Sequence, residues 1–512
     1  MDSAYAPLHP MMEIIDKPCA DWTRQDLLKV IETRRLRRIT FHYTGLDGKL
    51  KELKMPVLDH AQADRILARG ERVDGSSLFS GLVGAGLSDL YVLPLYRSAF
   101  INPLDEQSLN LICRFVTPNG EPADFAPDNI LARALGLLRQ ETGLEMRGLG
   151  ELEFYLFSRP EKALYPAPRQ RGYHATGPFS KQGSVLNEMI DAINRSTYGV
   201  KYGHNEVGFV ENLKSELVEI DGCQAEQLEI ELLLQPLDEL ADTLVIARWL
   251  IRNIAHRHGM VASFAPKICD DAAGNGMHIH LELMRDGQSV MRAEGGELAE
   301  PARRLIAGLC RSAVSLTAFG NTVSSSYLRL VPNHEAPTRI CWSDLNRSAL
   351  IRVPLGWKEG EQLTALFNPK ETADQAELPA SQTVELRSPD GSANVHLLLA
   401  GMSMAAVRGF RDPDALRTVE DLYVVGDISA DPSVRDRLAQ LPPSCTDSAA
   451  ELEAEREIYQ ANGVFPACMI DWAAESLRAQ NDSGMHTWLA SLEPDARETE
   501  TRRILHKDLH KN

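Results

Sequence analysis

Gly150-Glu151-Leu152-Glu153-Phe154-Tyr155-Leu156-Phe157 decides how the rest of this chain is read. Side chains alternate along a strand, so Glu151 and Glu153 share one face while Leu152, Phe154 and Leu156 line the other. Apolar groups on both faces mark a strand covered on both sides. Isolated buried carboxylates cost several kcal/mol each, on the order expected for burying unpaired charge. A cationic partner is therefore expected to meet them.

Three more segments repeat the pattern. Met277-His278-Ile279-His280-Leu281-Glu282-Leu283 puts two histidines and Glu282 on one face. Gln227-Leu228-Glu229-Ile230-Glu231-Leu232 pairs two acids, and Val384-Glu385-Leu386-Arg387 pairs an acid with an arginine. Carboxylates with an imidazole form a hard to borderline donor set, suited to Mg²⁺ or Mn²⁺ rather than to a thiolate-bound metal. One E-x-E alone would be a solvated strand face; four matching strands make a metal site.

The chain has 512 residues, 44% of them hydrophobic, and a net charge of −18. That length predicts two to four domains with ample core. The charge argues against nucleic acid as a partner. Eight cysteines lack any C-x-x-C spacing, and no apolar run approaches the ~18 residues of a membrane span. The expectation is a cytoplasmic enzyme with reduced thiols and no membrane partner.

Residues 1–25 read as a leader and 26–123 as a small α+β domain. Within it a helix starts after Thr23, and the turn at Asp47-Gly48 joins Arg38–Tyr43 to Lys51–Pro56 as a hairpin. The turn-rich 118–127 stretch separates it from a catalytic domain over 124–480, and 481–512 reads as a polar tail. Pro236 to His258 is a helix with acids early, basic residues late and Gly259 at its end. Ser448-Ala449-Ala450-Glu451 reads as a capping box, and 160–215 as a loop-rich insertion.

Arginines cluster at Arg329, Arg347, Arg352 and Arg387. Beside a carboxylate-bound metal they suit phosphoryl transfer, where positive charge offsets developing oxyanions. There is no G-x-x-x-x-G-K-[ST] loop, no G-x-G-x-x-G after a strand and no G-x-S-x-G elbow. A nucleotide must be held in another way.

In order, Asp74-Gly75-Ser76-Ser77, Glu151-x-Glu153, Met277-His278-Ile279-His280, Arg329-Leu-Val-Pro-x-x-Glu335-Ala-Pro, Asn346-Arg347-Ser348 and Glu385-x-Arg387-x-Pro389-Asp390 resemble the glutamine synthetase family, bacterial type I, over residues 26–480. The resemblance implies an α+β fold: an N-terminal β-grasp-like domain, then a catalytic domain with a curved, barrel-like antiparallel sheet flanked by helices. It implies ATP-dependent ligation of glutamate and ammonia through γ-glutamyl phosphate, with two or more Mg²⁺ or Mn²⁺ ions per site. A relative using a larger primary amine or a polyamine is the alternative, and a silent scaffold a third reading. Glu151, Glu153, Asp221, Glu229, His278 and Glu385 would ligate metal. Asp74, reaching in from a neighbouring subunit, would deprotonate ammonium, and Glu335 would close a flap against water. Gly274, Arg329 and Arg387 would contact substrate, and Glu216, His280, Arg347 and Arg352 nucleotide or phosphoryl. The assembly implied is a homo-oligomer, a dodecamer of stacked rings.

The chain departs from that pattern in several places. Where members carry His-His-Glu before Gly-Gln-x-Glu, the matching run is Glu219-Ile220-Asp221, with Asp221 or Glu219 as the ligand. Ala273-Gly274 replaces Asn-Gly, and Ala380, Ser381, Gln382 and Thr383 replace basic residues. Glu282 stands where a small hydroxyl is common near adenine. Asp421-Leu422-Tyr423 falls near the tyrosine that some members adenylylate, in a different surrounding sequence.

Overall fold

The computed structural model describes residues 10–84, 86, 88–160, 164–331, 336–356, 366–370, 382–426, 428 and 432–511. The N-terminal sheet contains β1 (Arg38–Thr44), β2 (Leu50–Pro56), β3 (Glu71–Asp74), β4 (Asp89–Pro94), β5 (Phe100–Ile101) and β6 (Ser108–Val116). Its order is β2-β1-β6-β4-β3, with β5 on β6. β1 and β2 form the expected antiparallel hairpin, and β1 runs parallel to β6. Thr23 caps the helix Arg24–Arg34 in a capping box with Asp26. The stretch read as a leader gives Met11, Ile15 and Trp22 to the core.

The second sheet contains β7 (Glu145–Ser158), β8 (Val200–Val210), β9 (Gln224–Leu232), β10 (Gln235–Pro236), β11 (Val261–Ser263), β12 (Ile279–Arg285), β13 (Gln288–Ser289), β14 (Trp342–Asp344), β15 (Ile351–Val353) and β16 (Val384–Leu386). Its spine runs β14-β15-β16-β12-β7-β9-β8, antiparallel except between β14 and β15. It is a curled half-barrel of the kind the sequence resemblance implied.

The helix Leu237–Arg257 covers the Gly148, Gly150 face of β7. A Cβ on Gly148 would meet Leu237 Cδ1 at 2.7 Å, so this close approach requires glycine. The helix ends as read, with Gly259 at a φ of +69°. Its Asp242 takes a two-pronged hydrogen bond from Arg114 of β6 at 3.0 and 2.6 Å, joining the two sheets. Burial would raise the Asp242 carboxyl, but Arg114 and His396 hold it at about 2.

Three local readings are corrected. The 160–215 stretch includes the helix Gly183–Thr197, which buries Val185, Leu186, Met189, Ala192 and Ile193 on one face, and all of β8. The helix at Cys445–Ala454 is capped by Ser444, whose hydroxyl accepts Asp447 N–H at 3.0 Å. Ser448 is instead buried between Thr317 and Tyr327. The polar tail folds into helices Met485–Ser491 and Pro494–Lys507, with Leu505 and Leu509 buried. No helix among the described residues is long and apolar enough to cross a membrane.

Candidate metal and phosphoryl-transfer site

Strand register builds the site. β7 pairs with β9 so that Glu151 faces Glu231 and Glu153 faces Glu229. β8 sets His204 opposite Glu229. On the other side of β7, β12 brings His280, with His278 just before it, and β16 sets Glu385 opposite His280. β15 adds Arg352 opposite Glu385. Six strands thus deliver acids, imidazoles and one arginine to a single concave face.

Three ligand-forming groups result among the described residues: Glu151, His278 and Glu385; His204, Glu206 and Glu229; and Glu151, Glu229 and Glu231. Within each, the donor atoms lie within 4.8 Å of one another. Glu151 is shared by the first and third groups and Glu229 by the second and third. Glu151 Oε2 lies 2.6 Å from His278 Nδ1 and its Oε1 3.0 Å from His280 Nε2. Burial would raise the Glu151 carboxyl, yet the two imidazoles hold it well below the usual carboxylate range. Glu385 is fully buried, with Arg352 Nη1 at 2.9 Å and Arg387 Nη1 at 2.7 Å.

The second group has the opposite electrostatics. Burial raises the Glu229 carboxyl strongly, the Glu151 and Glu153 charges raise it further, and it shares a hydrogen bond with Glu206. His204 is held neutral by burial. Such crowding of acids around one neutral imidazole suits a hard divalent cation, which would supply countercharge. Oxygen donors with one imidazole per group fit Mg²⁺ or Mn²⁺.

Glu153 Oε2 accepts Gly276 N–H at 2.6 Å, tying β7 to the loop before His278. On that loop a Cβ at Gly276 would lie 2.6 Å from His278 Nε2 and 2.7 Å from Arg329 Nη2. One at Gly274 would lie 2.9 Å from Arg329 Cγ. Arg329 is buried and donates to Ser388 O at 2.8 Å and Arg387 O at 3.3 Å. His280 is engaged by Glu151 and by Thr383 Oγ1 at 3.0 Å.

Beside Glu206 stands a set of rings. Tyr173 stacks on His174 with centroids 4.2 Å apart, and His174 lies 4.3 Å from His204. Arg347 Cζ sits 5.9 Å from the Tyr173 centroid. His174 has a φ of +55°, a left-handed conformation held in part by its N–H donating to Asn205 O at 2.9 Å.

Other predicted residues lie elsewhere. Asp221 is exposed, accepts Ser215 N–H at 3.0 Å and belongs to none of the three groups. Glu219 pairs with His510 and Glu216 with Arg503, both on the surface. The His-x-Glu pair that the strands bring to Glu229 is instead His204 and Glu206. Asp74 is exposed at the end of β3, its carboxylate accepting from Ser76 N at 3.0 Å and from the Ser76 and Ser77 hydroxyls. Those bonds hold it at about 2. Glu335, Ala380 and Ser381 lie outside the described residues.

Residues 124–479 match the family model described as glutamine synthetase, catalytic domain. The chain is 30% identical over 400 residues to a glutamine synthetase of Clostridium saccharobutylicum, covering 77% of this chain and 81% of that one. It is 30% identical over 447 residues to a glutamine synthetase of Thermococcus kodakarensis, covering 86% and 89%. Among solved structures, a glutamine synthetase of Plasmodium falciparum has a TM-score of 0.72 at 18% identity, covering 94% of this chain and 99% of that one. A GmaS/ADP complex has a TM-score of 0.70 at 21% identity, covering 92% and 98%. These structural likenesses concern the fold.

Proposed function

The chain belongs to the glutamine synthetase family, and on that premise we propose that it joins glutamate to ammonia with ATP, through γ-glutamyl phosphate. The observation that carries the reading is the convergence of Glu151, His278 and Glu385 with Glu206 and Glu229 on one sheet face. Glu151, His278 and Glu385 would hold one divalent ion, and Glu206 and Glu229, with Glu153 opposite Glu229 and Glu206 in place of Asp221, would hold a second. Such ions, when bound, polarise phosphoryl oxygens and neutralise their charge.

The chain's own groups do the rest. Arg329, beside Gly274 and Gly276, receives the α-carboxylate of glutamate in a bidentate fork. Burial would raise the Glu385 carboxyl, but His280 and Arg387 hold it down; Arg352 and Arg387 extend positive charge toward the transferred phosphoryl, and Arg347 approaches it from the open side. The γ-carboxylate oxygen attacks the terminal phosphorus and ADP leaves; the amine nitrogen then attacks the acyl carbon and phosphate leaves. Asp74 of a neighbouring copy takes the ammonium proton, and its low pKa keeps it ionised to receive the cation. By the family resemblance, Glu335 would have the role of keeping water from the acyl phosphate. Glu216 is paired with Arg503 on the surface, so the nucleotide contacts rest on His280, Arg347 and Arg352.

We assign residues 26–123 and 124–480 to the two domains and expect a dodecamer of stacked rings, in which Asp74 serves a neighbour. All eight cysteines are free thiols, which supports a cytoplasmic setting. A second reading is favoured by the Tyr173, His174 and His204 rings beside Glu206. Aromatic faces attract organic cations, so a larger primary amine is the alternative to ammonia.

The test is ADP release from Mg²⁺, ATP and glutamate with ammonium, a panel of primary amines, or no amine. Stimulation by ammonium, with glutamine formed in step, supports the first reading. Stimulation only by a larger amine moves the assignment to the second. Silence across the panel despite bound metal refutes both.

A further inference from the structure

The loop from Pro266 to Met277 sets Gly274 and Gly276 against Arg329, and its backbone is tied at nearly every residue. Tyr155 Oη donates to Ala273 O at 2.8 Å, and Gln170 Oε1 accepts Ala273 N–H at 3.0 Å. Gln227 Nε2 donates to Gly274 O at 2.9 Å, and buried Lys267 donates to Ala272 O at 3.2 Å. These ties hold the half of the loop nearer β12. The half nearer β11 is held from more than two hundred residues away.

His506, near the end of the helix Pro494–Lys507, is buried with Nε2 2.9 Å from Ile268 O and Nδ1 2.9 Å from Ser215 Oγ. A neutral ring satisfies both, donating through Nε2–H and accepting from the serine hydroxyl. Burial favours that neutral form. Three residues on, Leu509 is buried among Tyr155, Phe157, Ile220, Ala265 and Ile268, and its carbonyl accepts Ser263 Oγ–H at 2.7 Å. Lys511 Nζ donates to Thr322 O at 3.0 Å. The neighbouring Asn321 Nδ2 holds Ser388 O at 2.8 Å, the same carbonyl that takes Arg329 Nη1. The segment therefore grips both the glycine loop and the strut behind Arg329.

Simple packing could have used an apolar residue at 506. A buried imidazole with a distinct partner on each nitrogen fixes direction as well as distance.

We propose that residues 503–511 form a clasp on the substrate-carboxylate side of the site, with His506 as the positioning residue that fixes the 266–277 loop against Arg329. The link to substrate rests on the reading that this loop and Arg329 receive glutamate.

The test compares the full chain with His506→Ala, His506→Gln and Ser215→Ala by amide hydrogen exchange and by steady-state kinetics. His506→Ala is expected to speed exchange across 268–276 at least tenfold. It should also raise the KM for glutamate about tenfold with little change in the KM for ATP. His506→Gln, which can donate to Ile268 O and accept from Ser215, should restore both. Ser215→Ala removes one partner only and should fall between, so the result does not depend on the alanine variant folding well. Unchanged exchange in His506→Ala and Ser215→Ala overturns the clasp. Faster exchange with an unchanged glutamate KM, in a protein that uses glutamate, overturns its role in positioning substrate. Faster exchange rescued by glutamine, in a protein whose ADP release ignores glutamate, supports the clasp and overturns the glutamate reading instead.

Discussion

Loading the acid cluster with a divalent cation should expel a proton, and Glu229 is its source. In the cation-free protein its carboxyl is raised by burial, by the Glu151 and Glu153 charges and by the shared bond with Glu206, so it is protonated at pH 7.5. A carboxylate that ligates metal must give that proton up. A charge of +2 about 3 Å away, at an effective dielectric of about 20, is worth about 11 kcal/mol by Coulomb's law. That exceeds a shift of several pKa units at about 1.4 kcal/mol each, so the cation wins. The expected release is about one proton per chain. Titration of chelator-treated protein with Mn²⁺ at pH 7.5, in two buffers of different ionisation heat, counts the protons. Glu229→Gln should lower the count by about one and weaken binding, whereas Asp221→Asn should change neither. A count near zero in the wild type, or one unaltered by Glu229→Gln, refutes the electrostatic reasoning. Metal at a hundredfold its Kd should also stabilise the fold by about 2.7 kcal/mol, measurable by denaturant unfolding.

Gly276→Ala places a Cβ 2.6 Å from His278 Nε2 and 2.7 Å from Arg329 Nη2, so metal and glutamate affinity should fall together and kcat/KM drop on the order of 100-fold. His42 is buried and its pKa lowered to about 4, chiefly by that burial. A depressed histidine contributes stability in full above about pH 6.5 and loses it as pH falls toward 4. The loss is about 3 kcal/mol, and urea unfolding at pH 7 and 4.5 should reveal it, with a flatter dependence in His42→Gln. Glu335→Ala should spare metal binding but raise ATP hydrolysis relative to product, read as the ratio of ADP to amide formed. Equal coupling in wild type and variant removes Glu335 from the flap role.

The acidic strands were legible because a period of two is simple and because carboxylates on covered strands demand an explanation. Glu151, His278 and Glu385 come together as alternation required. The capping of Arg24–Arg34 by Thr23 and the Asp47-Gly48 hairpin were legible for the same reason, since each is a local device. His204 and Glu206 were not reached. Gly172, Gly177, Pro166, Pro168 and Pro178 gave 160–215 the look of continuous loop, although Val185, Leu186, Met189, Ala192 and Ile193 carry a clear helical spacing. The metal-binding run was then sought next to Gln227, whereas 207–223 intervenes. Register, not proximity in sequence, brings Glu206 to Glu229. Ser448 misled because a buried serine bonding to Tyr327 and a capping serine look alike in sequence. The fold of the last thirty residues was hidden by their charge, because among the described ones the buried side is marked by just Met485, Leu489, Leu505, His506 and Leu509.

The clasp at His506 also bears on the order in which the protein becomes competent during synthesis. The acidic face is complete once Glu385 has been made, yet Lys511 follows 126 residues later, since 511 minus 385 is 126. At about 5–20 residues per second that interval is roughly 6–25 s. On the proposed reading, for that time the nascent chain has the acids that would hold the cation without the segment that would grip the loop beside Arg329. Maturation would then be staged, with the cation face first and the substrate side last.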